Sequence, residues 1–287
     1  MNKLKIDMIF KSGLIFCGIV LMQLLAYMIC FGGGIAVYIA RGENYISAAY
    51  KMSQMRDTGS FLIWISAVSA SLSFIWCAIL YRKSSWRVKG IDYKKVFCKK
   101  NVLSIICVAV GGCIIITFAM TFISNLFPKM FEGYTKLMSN FDVDSFGMTI
   151  IYVLLIGPVS EEIIFRGAMF DRFHIGFSFW TANALQAFFF GLYHMNLIQG
   201  CYAFILGMAL GMVVYSTGSI LCSIMTHILF NTTTYVLPAA LGVKSALLRN
   251  AVVIFLIIMA VLSLIAVRYF VKISNEKIQK YERRYNG

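Results

Sequence analysis

Apolar residues run through this chain in long, nearly unbroken windows, and the polar positions gather between them. Windows of about 20 apolar residues recur along almost the whole length. No polar stretch exceeds roughly 20 residues, too short for a soluble domain. The pattern predicts eight helical spans, over residues 13–38, 61–81, 102–126, 147–170, 177–197, 200–216, 219–240 and 248–270. The fifth to eighth are joined by very short connections, so neighbouring pairs there pack antiparallel. The expected fold class is all-α, a polytopic membrane protein built as a bundle of about eight transmembrane helices.

Three regions follow: residues 1–146 with helices one to three and a basic loop, residues 147–240 with helices four to seven, and residues 241–287 with helix eight and a basic tail. The first apolar run is longer than a signal-peptide core of about 7–15 residues, and no convincing small-residue cleavage site closes it. It reads as a retained helix. Gly32, Gly33 and Gly34 are expected to bend it.

Composition agrees, with 60% hydrophobic and 13% charged residues and three prolines in 287. The net charge of +14 is explained by topology. With the N-terminus cytoplasmic, that side receives Lys3, Lys5 and Lys11, eight basic residues from Arg82 to Lys100, Arg166 and Arg172, and six from Arg268 to Arg284. These are nineteen, against seven outside, so both termini are placed in the cytoplasm of a cell-membrane protein. Basic loops of this kind need no nucleic acid as partner, and no nucleic-acid-binding module accompanies them. The expected surroundings are the lipid bilayer, with the loop around Arg82 to Lys100 attracted to anionic lipid.

Seven of the eight cysteines fall in apolar spans and none forms a C-x-x-C pair, so they read as small buried hydrophobes. "NTT" at Asn231 lies inside a span and is no glycan acceptor. Gly207 and Gly211 stand at G-x-x-x-G spacing, which lets a neighbouring backbone approach. The outer loop "FPKMFEGYTKLMSNFDVDSF" mixes aromatics with few charges and suits the membrane interface.

Candidate chemistry concentrates in "LLIGPVSEEIIFRGAMF". Ten of the twelve acids, Asp57, Asp142 and Asp144 among them, lie in loops, tails or span edges. Only Glu161 and Glu162 lie well inside a span, with Arg166 the one basic residue clearly inside a helix. Each mid-membrane charge costs roughly 2.5–3.5 kcal/mol, so the bundle must compensate them and a functional site is the default reading. Glu162 and Arg166 are i and i+4 with the acid N-terminal, the favourable order for an ion pair. Glu161 points about 100° away and has no basic partner at i+3 or i+4. It is left to face a cavity and act as a general base.

Phe190 and His194 share one helix face in "FFFGLYHMN", as do His227 and Asn231 in "MTHILFN". A base, a second histidine and hydrogen-bond donors are what amide hydrolysis by an activated water requires. Buried carboxylates and histidines also form proton relays, so a proton-coupled transporter is a rival reading, and Gly157-Pro158 is a candidate break in helix four. A non-catalytic immunity protein that binds a membrane peptide is another.

"EEIIFR" is E-E-x-x-x-R, "FGLYH" is F-x-x-x-H and "HILFN" is H-x-x-x-N, in that order on helices four, five and seven. This set resembles the CAAX protease and bacteriocin-processing (CPBP, or Abi) family of intramembrane proteases, which includes the type II CAAX prenyl endopeptidases. The likeness covers about residues 147–240. It implies an intramembrane endopeptidase acting on a hydrophobic or membrane-associated peptide, with Glu161 activating water, His194 helping to hold it, and His227 with Asn231 stabilising the oxyanion. Glu162 and Arg166 shape the site in that reading. No cofactor is expected; the alternative is zinc on Glu161, His194 and His227, a legitimate ligand set but without an H-E-x-x-H helix.

The resemblance leaves the substrate open, bacteriocin maturation or immunity included, and a lysine-, isoleucine- and asparagine-rich chain points away from prenylated substrates. One geometric tension remains. Measured from the drawn cytoplasmic ends, Glu161 and His227 lie about 12–14 Å deep but His194 roughly 25 Å. Either helix five tilts, or it starts later, or the site is deeper.

Overall fold

The computed structural model describes residues 3–56, 58–82, 92–139 and 146–286. Asp57, residues 83–91 of the basic loop, and residues 140–145 with Asp142 and Asp144 lie outside the described residues. Among the described residues the chain is all helix, as the long apolar windows require, since in lipid every backbone polar group must be satisfied within its own segment.

Among the described residues seven helices are long and apolar enough to cross a membrane. They are α1 (Lys3–Ala40), α3 (Gly59–Tyr81), α5 (Lys99–Leu126), α7 (Gly147–Gly176), α9 (Leu197–Thr217), α10 (Ile220–Leu241) and the span of α11 (Ala246–Asn286). The remaining predicted span is α8 (Phe179–Tyr193), 15 residues and about 22 Å long, short of the roughly 30 Å hydrocarbon layer. The expected count of eight is met only if this short helix is included.

Three more helices lie between spans: α2 (Tyr45–Met55), α4 (Tyr93–Val96) and α6 (Pro128–Ser139). Helix α2 is started by Asn44, whose side chain accepts from Ser47 N at 2.9 Å. Helix α6 is what the outer-loop sequence becomes. It turns Phe131 inward and stacks Tyr134 edge-on to Tyr202 of α9.

The three glycines at 32–34 do not break α1, which is helical throughout. Gly34 instead admits the Met52 side chain of α2, where a Cβ would collide. The G-x-x-x-G reading holds: a Cβ on Gly207 would press on Ala187, and one on Gly211 on the Asn183 side chain, so α8 and α9 are in near-backbone contact. Gly191 and Gly200 continue the seam, each within about 3 Å of the other's carbonyl oxygen once a Cβ is added.

Both ends of the chain lie at one face. Gly176 abuts Lys5 and Met8 of α1, and Phe179 stacks on Tyr215 at 4.2 Å. Ser216 Oγ donates to Phe270 O at 3.0 Å, and Lys277 Nζ to Tyr215 O at 2.8 Å. Tyr269 OH donates to Asn101 Oδ1 at 2.9 Å. This terminal half is filled by fully buried Phe165, Phe170, Phe173 and Phe179 with Ile164 and Met169. Exposed Leu24, Ile75, Phe122 and Ile254 turn outward to the lipid.

Candidate active site

Helix α7 carries the two adjacent glutamates and is not a regular α-helix. Residues Tyr152–Ile156 and Ile163–Phe170 are π-helical, bracketing an α-helical Gly157–Glu162. Proline is the local cause of the first widening. Gly157 N bonds to Tyr152 O, five residues back, so the next carbonyl in that pattern, Val153 O, is owed to Pro158, which has no N–H. Asn231 Nδ2 supplies the missing donor at 2.9 Å from α10. The suspected break at Gly157-Pro158 is therefore a widened turn repaired from a neighbouring helix.

The π-helical turns leave Glu161 7% exposed and Glu162 and Arg166 with no exposure. Arg166 Nη1 donates to Glu162 Oε1 at 2.8 Å, the intrahelical pair that the spacing predicts. Glu162 is saturated by further partners. His227 Nδ1 lies 2.9 Å from the same Oε1, and Ser223 Oγ donates to Oε2. A buried carboxylate held by three donors has its charge compensated and is spent as a base.

Glu161 is differently placed. Its nearest ionisable partner is His227, whose Nε2 stands 3.7 Å from Glu161 Oε2. The sequence shows no partner for it along the helix; the structure brings one from across the bundle. His227 thus sets Nδ1 against the Glu162 carboxylate and turns Nε2 toward Glu161.

His194 caps the C-terminal end of α8, with its ring 5.1 Å from that of Phe190. Gln199 Nε2 lies 3.1 Å from His194 Nδ1. An amide nitrogen is donor only, so Nδ1 accepts and Nε2 carries the proton. Met195, just after it, takes φ 52°, a left-handed turn that returns the chain into α9.

The depth tension resolves through helix register. Phe165 packs on Phe190 at 5.1 Å across the antiparallel α7 and α8, so Glu161, one turn earlier, and His194, one turn later, come level. Helix α7 also runs on to Gly176, beyond its expected end at 170, which puts Glu161 about 22 Å from that end, the same as His194 from Phe179. Gly167 faces Ile220, so His227 reaches the same level from α10. The site is deeper than the drawn spans imply.

A second polar group fixes α9 against this cluster. Arg166 Nη2 donates to Gly207 O at 3.2 Å, and Gln186 Nε2 donates to the same oxygen at 2.9 Å. Gln186 Nε2 also reaches Asn183 Oδ1 at 2.8 Å, and Asn183 Nδ2 donates to Met208 O at 3.0 Å. The Arg166 guanidinium covers the Phe190 ring at 4.5 Å. Sequence reading missed Asn183, Gln186, Gln199 and Ser223. The i, i+3 amides of α8, and a serine one turn before His227, were the available signals.

Glu161, His194, His227 and Asn231 all line one cavity of about 920 Å³. Among the described residues no three His, Cys, Asp or Glu side chains stand close enough together to hold a metal ion. The zinc alternative on Glu161, His194 and His227 therefore does not fit the side chains as placed. All eight cysteines are free.

The site is a buried carboxylate and two imidazoles that open on one cavity within a multi-pass helical bundle. Residues 144–233, which contain all three motifs, match the family model of the type II CAAX prenyl endopeptidase Rce1-like proteins. This segment is thus similar to the type II CAAX prenyl endopeptidase family, in line with the resemblance carried by its motifs. No curated protein and no solved structure matches the chain.

Proposed function

We propose that the protein is a glutamate-dependent intramembrane endopeptidase of a cell membrane, with both termini cytoplasmic, that hydrolyses a peptide bond in a membrane-associated peptide. The observation that carries this reading is the contrast within the Glu161–Glu162 pair. Glu162 is consumed by Arg166, His227 and Ser223, while Glu161 faces the cavity with His227 Nε2 at 3.7 Å.

Glu161 takes a proton from a water that attacks the scissile carbonyl carbon, and His194 holds that water. As the C–O bond forms, negative charge gathers on the carbonyl oxygen. His227, once it has drawn the proton from Glu161, and the second amide hydrogen of Asn231 stabilise it. The same proton then goes to the leaving nitrogen as the C–N bond breaks, giving an amine and a carboxylic acid, which loses its remaining proton to water on release. No step needs a metal.

The test is comparative peptidomics of membrane and medium from cells carrying the wild-type chain or Glu161→Gln at matched protein level. Glutamine keeps size and hydrogen bonding but cannot act as base. Peptide termini present only with the wild type are expected, their yield falling about 10²- to 10⁴-fold in the variant. Coincident profiles would remove hydrolysis by Glu161 and favour a peptide-binding or immunity protein, which tolerates the substitution.

A further inference from the structure

The cavity is one-sided. Each helix that lines it does so only with the half remote from the chain termini: Leu62 to Ser69 at the start of α3, Ile116 to Ser124 at the end of α5, Thr149 to Glu161 at the start of α7, Gln199 to Leu206 at the start of α9, and His227 to Pro238 of α10. Helix α6, wholly on that face, adds Phe131, Tyr134 and Met138. On the terminal side the space below Glu161 is closed by the phenylalanine-rich core, where Phe165, Phe170, Phe173 and Phe179 are at most 2% exposed.

The lining has a chemical signature. Among the described residues Glu161 is its one carboxylate, and it includes no lysine or arginine. Hydroxyls are plentiful, and four of them commit their hydrogens to carbonyls of their own helices. Thr121 Oγ1 donates to Thr117 O at 2.9 Å, Ser124 Oγ to Thr121 O at 2.9 Å, Thr135 Oγ1 to Phe131 O at 3.0 Å and Thr234 Oγ1 to Asn231 O at 2.6 Å. What these side chains leave toward the cavity is oxygen lone pairs. The rest of the wall is largely apolar, so an occupant that brings both apolar side chains and N–H groups to satisfy away from water is complementary to it.

We propose that substrate reaches Glu161 from the face opposite the termini, the outer face by the distribution of lysine and arginine, as an extended peptide segment with no charged side chain beside the scissile bond. This rests on the peptidase reading for its chemistry, though the route of access stands on geometry. The count of nineteen basic residues against seven, read along the sequence, assigns the cytoplasm to the face that holds the termini. An extended segment bares the backbone N–H groups that a helix would hide.

The test uses the full chain carrying Glu161→Gln, so that bound peptide survives, with a cysteine introduced at Thr121 or, independently, at Thr234. Intact cells are treated with a membrane-impermeant thiol reagent, and labelling is read over the parent chain. A Lys277→Cys chain reports the terminal face. Labelling of the cavity positions without permeabilisation, and of position 277 only after it, is expected. Cavity positions that label only after permeabilisation, or not at all, overturn the outer route.

In the second arm an N-acetylated, C-amidated octapeptide of leucine, alanine and serine is set against the same peptide with a central lysine. The neutral peptide is expected to protect the cavity cysteines, the charged one to need about a hundredfold more, the factor that a mid-membrane charge implies. Equal protection by both overturns the uncharged-segment reading. Failure of the peptidase reading shows separately, as coincident peptide profiles for wild type and Glu161→Gln with labelling unchanged.

Discussion

Glu162 Oε1 is shared between Arg166 and His227, at 2.8 Å from the guanidinium Nη1 and 2.9 Å from the imidazole Nδ1. One oxygen thus ties the charge of α7 to the histidine of α10. The adjacent glutamates therefore fail differently. Glu162→Gln leaves a guanidinium with no exposure and without its counterion, a loss of about 3–5 kcal/mol, whereas Glu161→Gln removes no hydrogen bond found in the fold. Thermal unfolding in detergent is expected to drop sharply for Glu162→Gln and hardly move for Glu161→Gln, while both abolish cleavage. Equal unfolding temperatures would refute this division of labour.

Metal removal is a second discriminator. His194 Nδ1 is held by Gln199 and His227 Nδ1 by Glu162, and the remaining groups do not converge as a ligand set. Cleavage by the purified chain is expected to survive extended treatment with 1,10-phenanthroline. Loss that added zinc restores would overturn the metal-free scheme.

The parts of the site that were legible in the sequence are those that one helix can encode alone. The Glu162–Arg166 pair and the shared face of Phe190 and His194 follow from i, i+4 spacing, and both are present. Mid-membrane charge marked Glu161 without any partner being visible. What stayed hidden depends on register between helices. His227 meets Glu161, Asn231 meets Val153 O and Gln186 meets Gly207 O through α7, α8, α9 and α10 pairings that no spacing within one segment specifies. The helix ends show the same limit. Helix four runs on past its apolar run to Gly176, because polar Asp171 and Arg172 sit comfortably in a helix once it approaches the membrane surface. That extension is what reconciles the depths of Glu161 and His194.

Gly211 offers a packing test remote from the cavity. A Cβ there would strike Asn183 Oδ1, and Asn183 carries Gln186 and through it the Gly207 carbonyl that Arg166 also uses. Gly211→Val is expected to cost about 1–3 kcal/mol by overpacking. Gln186→Leu should cost a similar 1–3 kcal/mol through the partners it strands. Because both act on one polar cluster, the double variant should lose less than the two losses added, by at least about 0.5 kcal/mol. Strict additivity in detergent unfolding would mean that α8 and α9 are not joined through this cluster.

Asn231 and Pro158 form a compensating pair. Asn231 Nδ2 donates to Val153 O, the carbonyl that Pro158 leaves without a backbone partner. Asn231→Leu strands that carbonyl and is expected to cost about 1–3 kcal/mol. Pro158→Ala restores an N–H five residues after Val153, so the same leucine substitution made on that background should cost less, with a coupling of about 0.5–1 kcal/mol or more. Activity separates the two roles of Asn231. If its second amide hydrogen also stabilises the oxyanion, the Pro158→Ala, Asn231→Leu chain regains stability but not turnover. Recovery of both would make Asn231 a repair for the proline-widened turn alone and leave the oxyanion to His227.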